Sequence, residues 1–207
     1  MTAQGKFISI EGLEGVGKST NVHFVSDYLF RNSVEHIVTR EPGGTPLAED
    51  IRRLLLEPRE EAVDAWCELL LVFGARAQHL NTKIRPALEE GFWVVSDRFT
   101  DATFAYQGAG RGLPMGDIEH LEQLVQRGLK PDLTILLDAP ADVGLQRASA
   151  RGALDRFENE RLPFFERARD VYLARAKADP QRYLVVDATL PLPMVQQHIA
   201  DGLSKLI

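Results

Sequence analysis

The stretch IEGLEGVGKST at residues 10–20 decides the fold. It overlaps the end of the apolar run FISI at residues 7–10, and a segment with helical spacing follows it. Its GLEGVGKS portion matches G-x-x-x-x-G-K-[ST], and a strand before it and a helix after it are the context in which that pattern binds phosphate. Backbone N–H groups curl around phosphate oxygens, and the helix N-terminus adds its positive dipole end. The predicted phosphate site comprises Gly12, Leu13, Glu14, Gly15, Val16, Gly17, Lys18, Ser19 and Thr20.

Within this stretch, Lys18 and Ser19 are the residues whose side chains act on the phosphates. A lysine in this position carries its positive charge to the β- and γ-phosphates, and the hydroxyl of the next residue can bind Mg²⁺. The motif identifies a nucleotide donor and leaves the acceptor of the phosphoryl group open. No N-K-x-D motif, which reads guanine, occurs in the chain. This favours ATP as the donor and argues against a GTPase switch.

Four further apolar runs are as short as FISI and as rich in branched aliphatic residues. Each is nearly continuous in apolarity, as a strand covered on both faces must be, and segments with three- and four-residue apolar spacing lie between them. The runs are HIVT (36–39), WVVS (93–96), LTILL (133–137) and YLVV (183–186), and the helical segments are residues 21–30, 47–56, 65–88 and 116–126. The alternation predicts an α/β fold: a parallel five-stranded sheet with helices on both faces, forming a single domain over residues 1–207. Ligands are expected at the carboxyl ends of its strands.

The composition limits the classes of partner. The net charge is −6, whereas proteins that bind nucleic acids are expected to have a basic surface, so nucleic acid is not an expected partner. No apolar run approaches the ~20 residues of a membrane span, so no membrane partner is expected either. Cys67 is the only cysteine, which excludes an intrachain disulfide and fits a reducing compartment. We therefore expect a cytoplasmic protein.

The run WVVS at residues 93–96 is followed by the polar pair Asp97 and Arg98. An acid at the tip of a strand beside the phosphate site can hold Mg²⁺ or orient an attacking oxygen. The planar guanidinium of an arginine grips a second phosphate in two places. The structural alternatives are a strand-end turn acid and a surface ion pair. The occurrence of both residues at this strand favours a functional pair.

One segment breaks the alternation of strands and helices. Residues 148–166, ASARGALDRFENERLPFFE, are rich in Arg, Asp and Glu and contain few apolar residues to bury. Charged runs of this kind are usually solvated helices and loops. The alternative is a lid that closes over phosphates.

Five motifs together are similar to those of a known family. EGLEGVGKST, TREPGGTPLAEDIR, GARAQH, DRFTDATFAYQG and RGALDRFE occur in this order over nearly the whole chain. In this combination the chain resembles the bacterial thymidylate kinases, which phosphorylate dTMP with ATP. The resemblance implies a P-loop nucleoside monophosphate kinase fold with a short mobile lid at about residues 148–160, Mg²⁺ dependence and a homodimer packed through helices.

The resemblance also implies the residues that bind dTMP. Arg76 matches the family arginine that donates to the 4-keto oxygen of thymine, and a guanidinium can only donate, so it would reject the 4-amino group of cytosine. Gln107 and Thr103 match residues that bind the base near N3. The remaining matches are Tyr106 under the sugar, Glu41, Pro42 and Glu14 on the sugar and acceptor side, and Arg52 and Arg98 on the dTMP phosphate.

Two features of the chain bear on the family pattern. Many members have a base-stacking aromatic four residues before the arginine, where this chain has Val72, so Phe73 is the candidate for stacking, with core packing as the alternative. In one branch of the family the P-loop carries the catalytic arginine and in the other the lid does, and this P-loop contains no arginine. The resemblance therefore implies that the lid supplies it. Arg151 and Arg156 are the candidates, and Arg147 is expected on the preceding helix.

Two other functions are compatible with parts of the sequence. One is a kinase for another nucleotide or for a deoxynucleoside, whose neutral hydroxyl would need a general base and fewer arginines on the acceptor side. The other is a nucleotide-dependent switch or assembly ATPase without a small-molecule acceptor. The polar and aromatic run at residues 103–107 argues against the second.

Overall fold

The computed structural model describes residues 5–150 and 155–207. Its sheet has five parallel strands in the order β2-β3-β1-β4-β5. The strands are β1 (Phe7–Glu11), β2 (His36–Arg40), β3 (Trp93–Asp97), β4 (Leu133–Asp138) and β5 (Tyr183–Asp187). The five predicted strands are therefore confirmed, and each extends one residue beyond the apolar run, onto a charged residue.

Helices connect the strands. They are α1 (Lys18–Arg31), α2 (Pro46–Leu56), α3 (Ala65–His79), α4 (Arg85–Glu89), α5 (Thr100–Thr103), α6 (Met115–Gln126), α7 (Ala141–Ser149), α8 (Leu162–Ala178) and α9 (Leu192–Leu203). Two π-helical segments, Leu80–Ile84 and Phe104–Gly110, interrupt the α-helical pattern. The helical segment predicted at residues 65–88 is thus a composite of α3, the first π-helical segment and α4. Periodicity alone does not reveal such an interruption, because apolar spacing barely changes through one wider turn.

Burial explains why the central strands are the most apolar. All five residues of β1 are buried, whereas β2 and β5 at the edges of the sheet have exposed residues. Side chains alternate between the two faces: Phe7 packs with Leu80 and Ile84, while the adjacent Ile8 belongs to a larger cluster with residues of α1 and α9. Both faces of the sheet are thus covered by helices, as a parallel sheet requires.

The strand order places the P-loop beside Asp97. β1 pairs with β3 in a register that aligns Ile10 with Asp97, so the segments that follow both strands emerge side by side at the carboxyl edge of the sheet. In residues 5–150 and 155–207, each helix is too short or too polar to cross a lipid bilayer.

Candidate active site

The loop between β1 and α1 has the backbone of a phosphate cradle. Gly12, Gly15 and Gly17 have φ angles of 138°, 70° and 88°, which residues with a side chain rarely adopt. A Cβ at Gly15 would also collide with the carbonyl oxygen of Gly144 on α7. Because α1 begins at Lys18, its first N–H groups have no partner within the helix and favour an anion at this loop.

Lys18 folds back over the loop. Its Nζ donates to the carbonyl oxygens of Leu13 at 2.6 Å and Gly12 at 3.2 Å, and it lies 3.5 Å from a carboxylate oxygen of Glu14. Burial lowers the pKa of the Lys18 amine and repulsion from Arg98 lowers it further, while Glu14 opposes both effects. The loop carbonyls thus hold the ammonium group where phosphate oxygens can replace them as acceptors.

Arg98 connects the cradle to the rest of the cavity. Its backbone has a φ of 70°, a left-handed conformation that costs a non-glycine residue about 1–2 kcal/mol. Its guanidinium donates to Glu14, to the Tyr106 hydroxyl at 3.1 Å and to the Tyr172 hydroxyl at 3.4 Å. Burial raises the pKa of Glu14, but the charges of Arg98 and Lys18 outweigh burial and lower it to about 2. Glu14 is therefore ionised at neutral pH and holds two cations close together despite their repulsion.

Asp97 and Ser19 meet the requirements of a Mg²⁺ site. Both line the cavity, Asp97 at the end of β3 and Ser19 in the first turn of α1. The Oδ1 atom of Asp97 is buried and accepts no hydrogen bond from any residue that the structure describes. A buried carboxylate oxygen without a donor favours a cation, and carboxylate and hydroxyl oxygens are hard ligands of the kind that Mg²⁺ prefers. The two side chains therefore fit this ion.

Arg76 on α3 lines the opposite end of the cavity and is 2% exposed. Its Nε donates to Glu41 at 2.7 Å, and its Nη2 donates to the carbonyl of Phe99 at 3.1 Å and to the hydroxyl of Thr103 at 3.0 Å. The remaining nitrogen, Nη1, is buried and finds no acceptor in the described part of the chain. Since buried donors are nearly always paired, Nη1 marks a place for a ligand acceptor.

A buried carboxylate that the sequence analysis did not single out lies behind this end of the cavity. Glu68 accepts from the side-chain amide of Gln107 at 2.7 Å and from Arg156 at 2.6 Å. Arg111 also donates to it, at 3.2 Å. The sequence did carry a signal, because an acid within the apolar helix AWCELLLVF is buried only when it is paired.

Arg52 on α2 brings a further guanidinium into the cavity. Its Nη1 donates to the carbonyl oxygen of Pro42 at 2.9 Å, and Pro42 follows a cis peptide bond. Burial lowers the pKa of Arg52, and repulsion from Arg40 and Arg98 lowers it further. Cations that repel one another in one cavity favour an anion between them.

Sequence comparison assigns this architecture to a family. The sequence model of the family described as Thymidylate kinase matches residues 10–199. The chain belongs to the thymidylate kinase family. It is 59% identical over 203 residues to a thymidylate kinase of Pseudomonas fluorescens Pf-5, covering 98% of this chain and 97% of that protein.

Other relatives support the same family. The chain is 56% identical over 201 residues to a thymidylate kinase of Hahella chejuensis, with 97% of each chain covered. The crystal structure of a thymidylate kinase from Ehrlichia chaffeensis matches with a TM-score of 0.76 and 32% identity, covering 97% of this chain and 99% of that one. The fold is therefore the P-loop fold of the nucleoside monophosphate kinases, as the sequence predicted.

Most of the residues that the sequence analysis singled out line one cavity of about 280 Å³. They are Glu14, Gly15, Gly17, Lys18, Ser19, Glu41, Pro42, Arg52, Arg76, Asp97, Arg98, Thr103, Tyr106 and Gln107. Gly12, Leu13, Val16 and Thr20 belong to the loop and α1 but do not line the cavity. The side chains of Leu13 and Val16 pack instead in the largest core cluster.

Phe73, the candidate for base stacking, lies in the core. It packs with Leu69, Phe104 and Ile118 and does not line the cavity, whereas Val72 does. The two residues are neighbours on a helix that is apolar on several sides, and the rotation of α3 decides which one faces the ligand. We therefore do not include Phe73 in the proposed thymidylate kinase site.

The lid arginines also differ in their placement. Arg151 lies outside the described residues. Arg156 donates to Glu68 at 2.6 Å and to the carbonyl oxygen of Leu55 at 2.7 Å, and its guanidinium lies 4.4 Å from the centroid of the Phe157 ring. Arg156 therefore anchors the later part of the expected lid, residues 155–160 (the lid stem), to α2 and α3. It does not line the cavity. Arg147 donates to the carbonyl oxygen of Ala188 at 2.9 Å.

Proposed function

We infer that this protein transfers the γ-phosphoryl group of ATP to dTMP, giving ADP and dTDP for dTTP synthesis. One observation carries this function: a phosphate cradle and a buried arginine donor that has no acceptor among the described residues lie in the same cavity. A switch or an assembly ATPase needs only the cradle. The acceptor end is what makes the cavity suited to a kinase for a small molecule.

The donor end is assigned to three residues. Lys18 binds the β- and γ-phosphates of ATP, and the loop backbone holds the same phosphates through its N–H groups. Ser19 and Asp97 would hold Mg²⁺, which would neutralise charge on the phosphates. The Oδ1 of Asp97, which has no hydrogen-bond partner among the described residues, supports this assignment.

The acceptor phosphate is assigned to Arg98 and Arg52, with Glu14 positioning Arg98. Both guanidiniums line the cavity, and their mutual repulsion is relieved when an anion lies between them. The attacking oxygen of dTMP is already ionised, so no strong general base is needed. Catalysis of the in-line transfer is then positioning and charge neutralisation.

The base is assigned to Arg76, Thr103 and Gln107. The Nη1 of Arg76 donates to the 4-keto oxygen of thymine, and Gln107 binds N3–H. Thr103 holds the Arg76 side chain by accepting from Nη2 at 3.0 Å. Glu41 and Pro42 line the sugar side of the cavity.

Tyr106 is assigned to the exclusion of ribonucleotides. Its ring lines the cavity and makes edge-to-face contacts with Phe157, Phe164 and Phe165. A ring packed on three sides cannot retreat from a 2′-hydroxyl, so we propose that it selects deoxyribose.

We propose that the chain acts as one domain in which residues 148–160 form the lid. Asp155, Phe157 and Glu158 already line the cavity, so closure of the preceding residues over the phosphates would exclude water from the transfer. Arg151 is the proposed catalytic arginine of this lid.

A panel of acceptors tests the function. Turnover of dTMP, dUMP, dCMP, dGMP, TMP (the ribonucleotide) and thymidine is measured with ATP and Mg²⁺ by coupled release of ADP. We expect the highest kcat/KM for dTMP and no turnover of thymidine. Equal rates for all monophosphates, or ATP hydrolysis without any acceptor dependence, would contradict the assignment.

We propose in addition that the enzyme is a homodimer that works in the cytoplasm. Trp66 and Leu70 lie one turn apart on α3 and are 42% and 56% exposed. The next turn carries Gly74, which has open space beside it. This apolar strip on α3 suits a second copy of the chain. The free, exposed Cys67 is consistent with a reducing compartment.

A further inference from the structure

One buried carboxylate of the molecule is not used by the phosphoryl transfer. Glu68 lies on α3 with 0% of its surface exposed. Within the described part of the chain, three side chains donate to it, Gln107, Arg111 and Arg156, and none of them belongs to the phosphate cradle. Burial of a charge with so many donors indicates a defined role.

The contact with Gln107 fixes the orientation of that side-chain amide. A carboxylate only accepts hydrogen bonds, and the two guanidiniums on it only donate, so the NH₂ end of the amide must face Glu68. The 2.7 Å contact is accordingly from Nε2. Because Gln107 lines the cavity and one N–H of its Nε2 is bonded to Glu68, its carbonyl oxygen can accept a hydrogen bond from a ligand. Without Glu68 the amide could turn over and present a donor instead.

Arg76 supplies a hydrogen-bond donor next to this acceptor. Its Nη1 is a buried donor without an acceptor among the described residues, and Glu41 holds the guanidinium through Nε at 2.7 Å. The cavity therefore presents one donor and one acceptor to the base. Thymine offers a 4-keto acceptor next to an N3–H donor, whereas cytosine offers a 4-amino donor next to an N3 acceptor.

We propose that Glu68 is a positioning residue that determines base specificity: by holding the amide of Gln107 it gives the pocket its acceptor, and so it selects thymine over cytosine. The inference rests on the proposed function, in which dTMP is the acceptor. Among the residues that the structure describes, Glu68 is the hydrogen-bond partner of the Gln107 amide. Arg111 and Arg156 balance its charge.

Glu68→Gln is the informative substitution. It keeps the shape of the side chain but can both donate and accept, so the Gln107 amide is free to turn over. We expect the ratio of kcat/KM for dTMP to kcat/KM for dCMP to fall about 10- to 100-fold, as for a mispaired buried polar group. The KM for ATP should change little. The kcat alone is not diagnostic, because the substitution also releases Arg156 of the lid stem.

Glu160→Gln is the matched control. Glu160 forms an ion pair with Arg111 in the same network but makes no contact with Gln107, so the ratio should stay within about twofold of wild type. A Glu68→Gln enzyme that loses activity on dTMP and dCMP by the same factor would overturn the proposal and leave Glu68 a structural residue. An error in the proposed function would give a different result from an error in the role of Glu68, because the wild-type enzyme itself would then show no preference for dTMP.

A measurement on the unmodified protein covers the case in which Glu68→Gln does not fold. The side-chain NH₂ signals of Gln107 are assigned by their absence from the spectrum of Gln107→Met. A carboxylate-bound, buried amide should show downfield-shifted protons that exchange slowly with water. Signals at ordinary positions in fast exchange would refute the fixed amide.

Discussion

Arg76 is a charge placed in the interior by a specific set of partners. One carboxylate, one carbonyl and one hydroxyl accept from it, and the rings of Phe73 and Phe99 lie 4.9 and 5.1 Å from its guanidinium carbon. These contacts immobilise the side chain while Nη1 stays unpaired within the described structure. A donor fixed in this way can bind an acceptor on a ligand without a further loss of side-chain conformational entropy.

Arg76→Ala should weaken dTMP far more than ATP. Loss of the buried donor is expected to raise the KM for dTMP about 10- to 100-fold, whereas the KM for ATP should change less than about threefold. Steady-state kinetics with each substrate varied would measure both. Arg53→Ala, at an exposed position on α2, is the control and should leave both constants unchanged. Equal losses for the two substrates would refute a base-reading role.

Glu11, at the end of β1, is a second buried ionisable residue. It accepts from the Phe99 N–H at 2.7 Å and from the Tyr172 hydroxyl at 2.9 Å. Burial, together with repulsion from Asp101, nevertheless raises the pKa of its carboxyl from the usual 4.5 to about 7. The folded protein therefore keeps a proton on Glu11 that the unfolded chain loses at lower pH.

This difference predicts a pH-dependent stability. Below pH 4.5 Glu11 is protonated in both states, and its contribution to the free energy of unfolding is then lost as pH rises through about 7. The loss should be about 1–3 kcal/mol. Urea unfolding at pH 5 and pH 8 should show a smaller decrease for Glu11→Gln than for wild type. The exposed Glu119→Gln serves as control, and equal decreases in all three proteins would contradict the prediction. Glu14 does not interfere, because its lowered pKa of about 2 affects stability only as pH falls below about 4.5.

At the scale of elements, the lid stem begins with a short turn that the side chain of Asp155 stabilises. The Oδ1 atom of Asp155 accepts from the N–H groups of Phe157 and Glu158 at 2.8 and 2.9 Å. The side chain of Arg156 points away from the cavity and donates to Glu68 and to the carbonyl oxygen of Leu55 near the end of α2. The stem is therefore docked against α2 and α3.

Substitution of the two lid arginines should separate their roles. Arg151→Ala is expected to lower kcat about 10³-fold or more, the loss typical of an arginine that acts on the transferred phosphoryl group, with little change in the KM for dTMP. Arg156→Ala should lower kcat less, because its guanidinium is bonded to Glu68 and to Leu55. Single-turnover rates would measure the chemical step. A larger loss for Arg156→Ala would reverse the assignment.

At the scale of the whole molecule, the strip of Trp66, Leu70 and Gly74 on α3 should form the dimer contact. Leu70→Glu places a charge in the middle of that strip and should halve the mass seen by light scattering at micromolar concentration. Phe30→Glu replaces another exposed apolar residue, on α1, and should leave the mass unchanged. A wild-type protein with the mass of one chain would refute the homodimer itself.

The strands and the P-loop could be read from the sequence because their signals are local. A strand buried on both faces is a short apolar run, and a phosphate loop needs glycines at fixed spacing. The π-helical segments and the burial of Arg98 had no such signal. The sequence favoured a functional role for Arg98, with a surface ion pair as the alternative, but gave no sign of its burial. The pairing of β1 with β3 brings Glu14 to it.

The sequence by itself determined the alternation of strands and helices along the chain, the phosphate cradle and the family to which the chain belongs. Each depends on motifs whose residues are close together along the chain. The tertiary structure alone decided that Val72 rather than Phe73 faces the cavity, that Arg156 anchors the lid stem, and that Glu68 holds Gln107. These facts depend on the rotation of α3 and on contacts between residues up to 101 positions apart. Such contacts are set by how whole elements pack, and no local pattern records that packing.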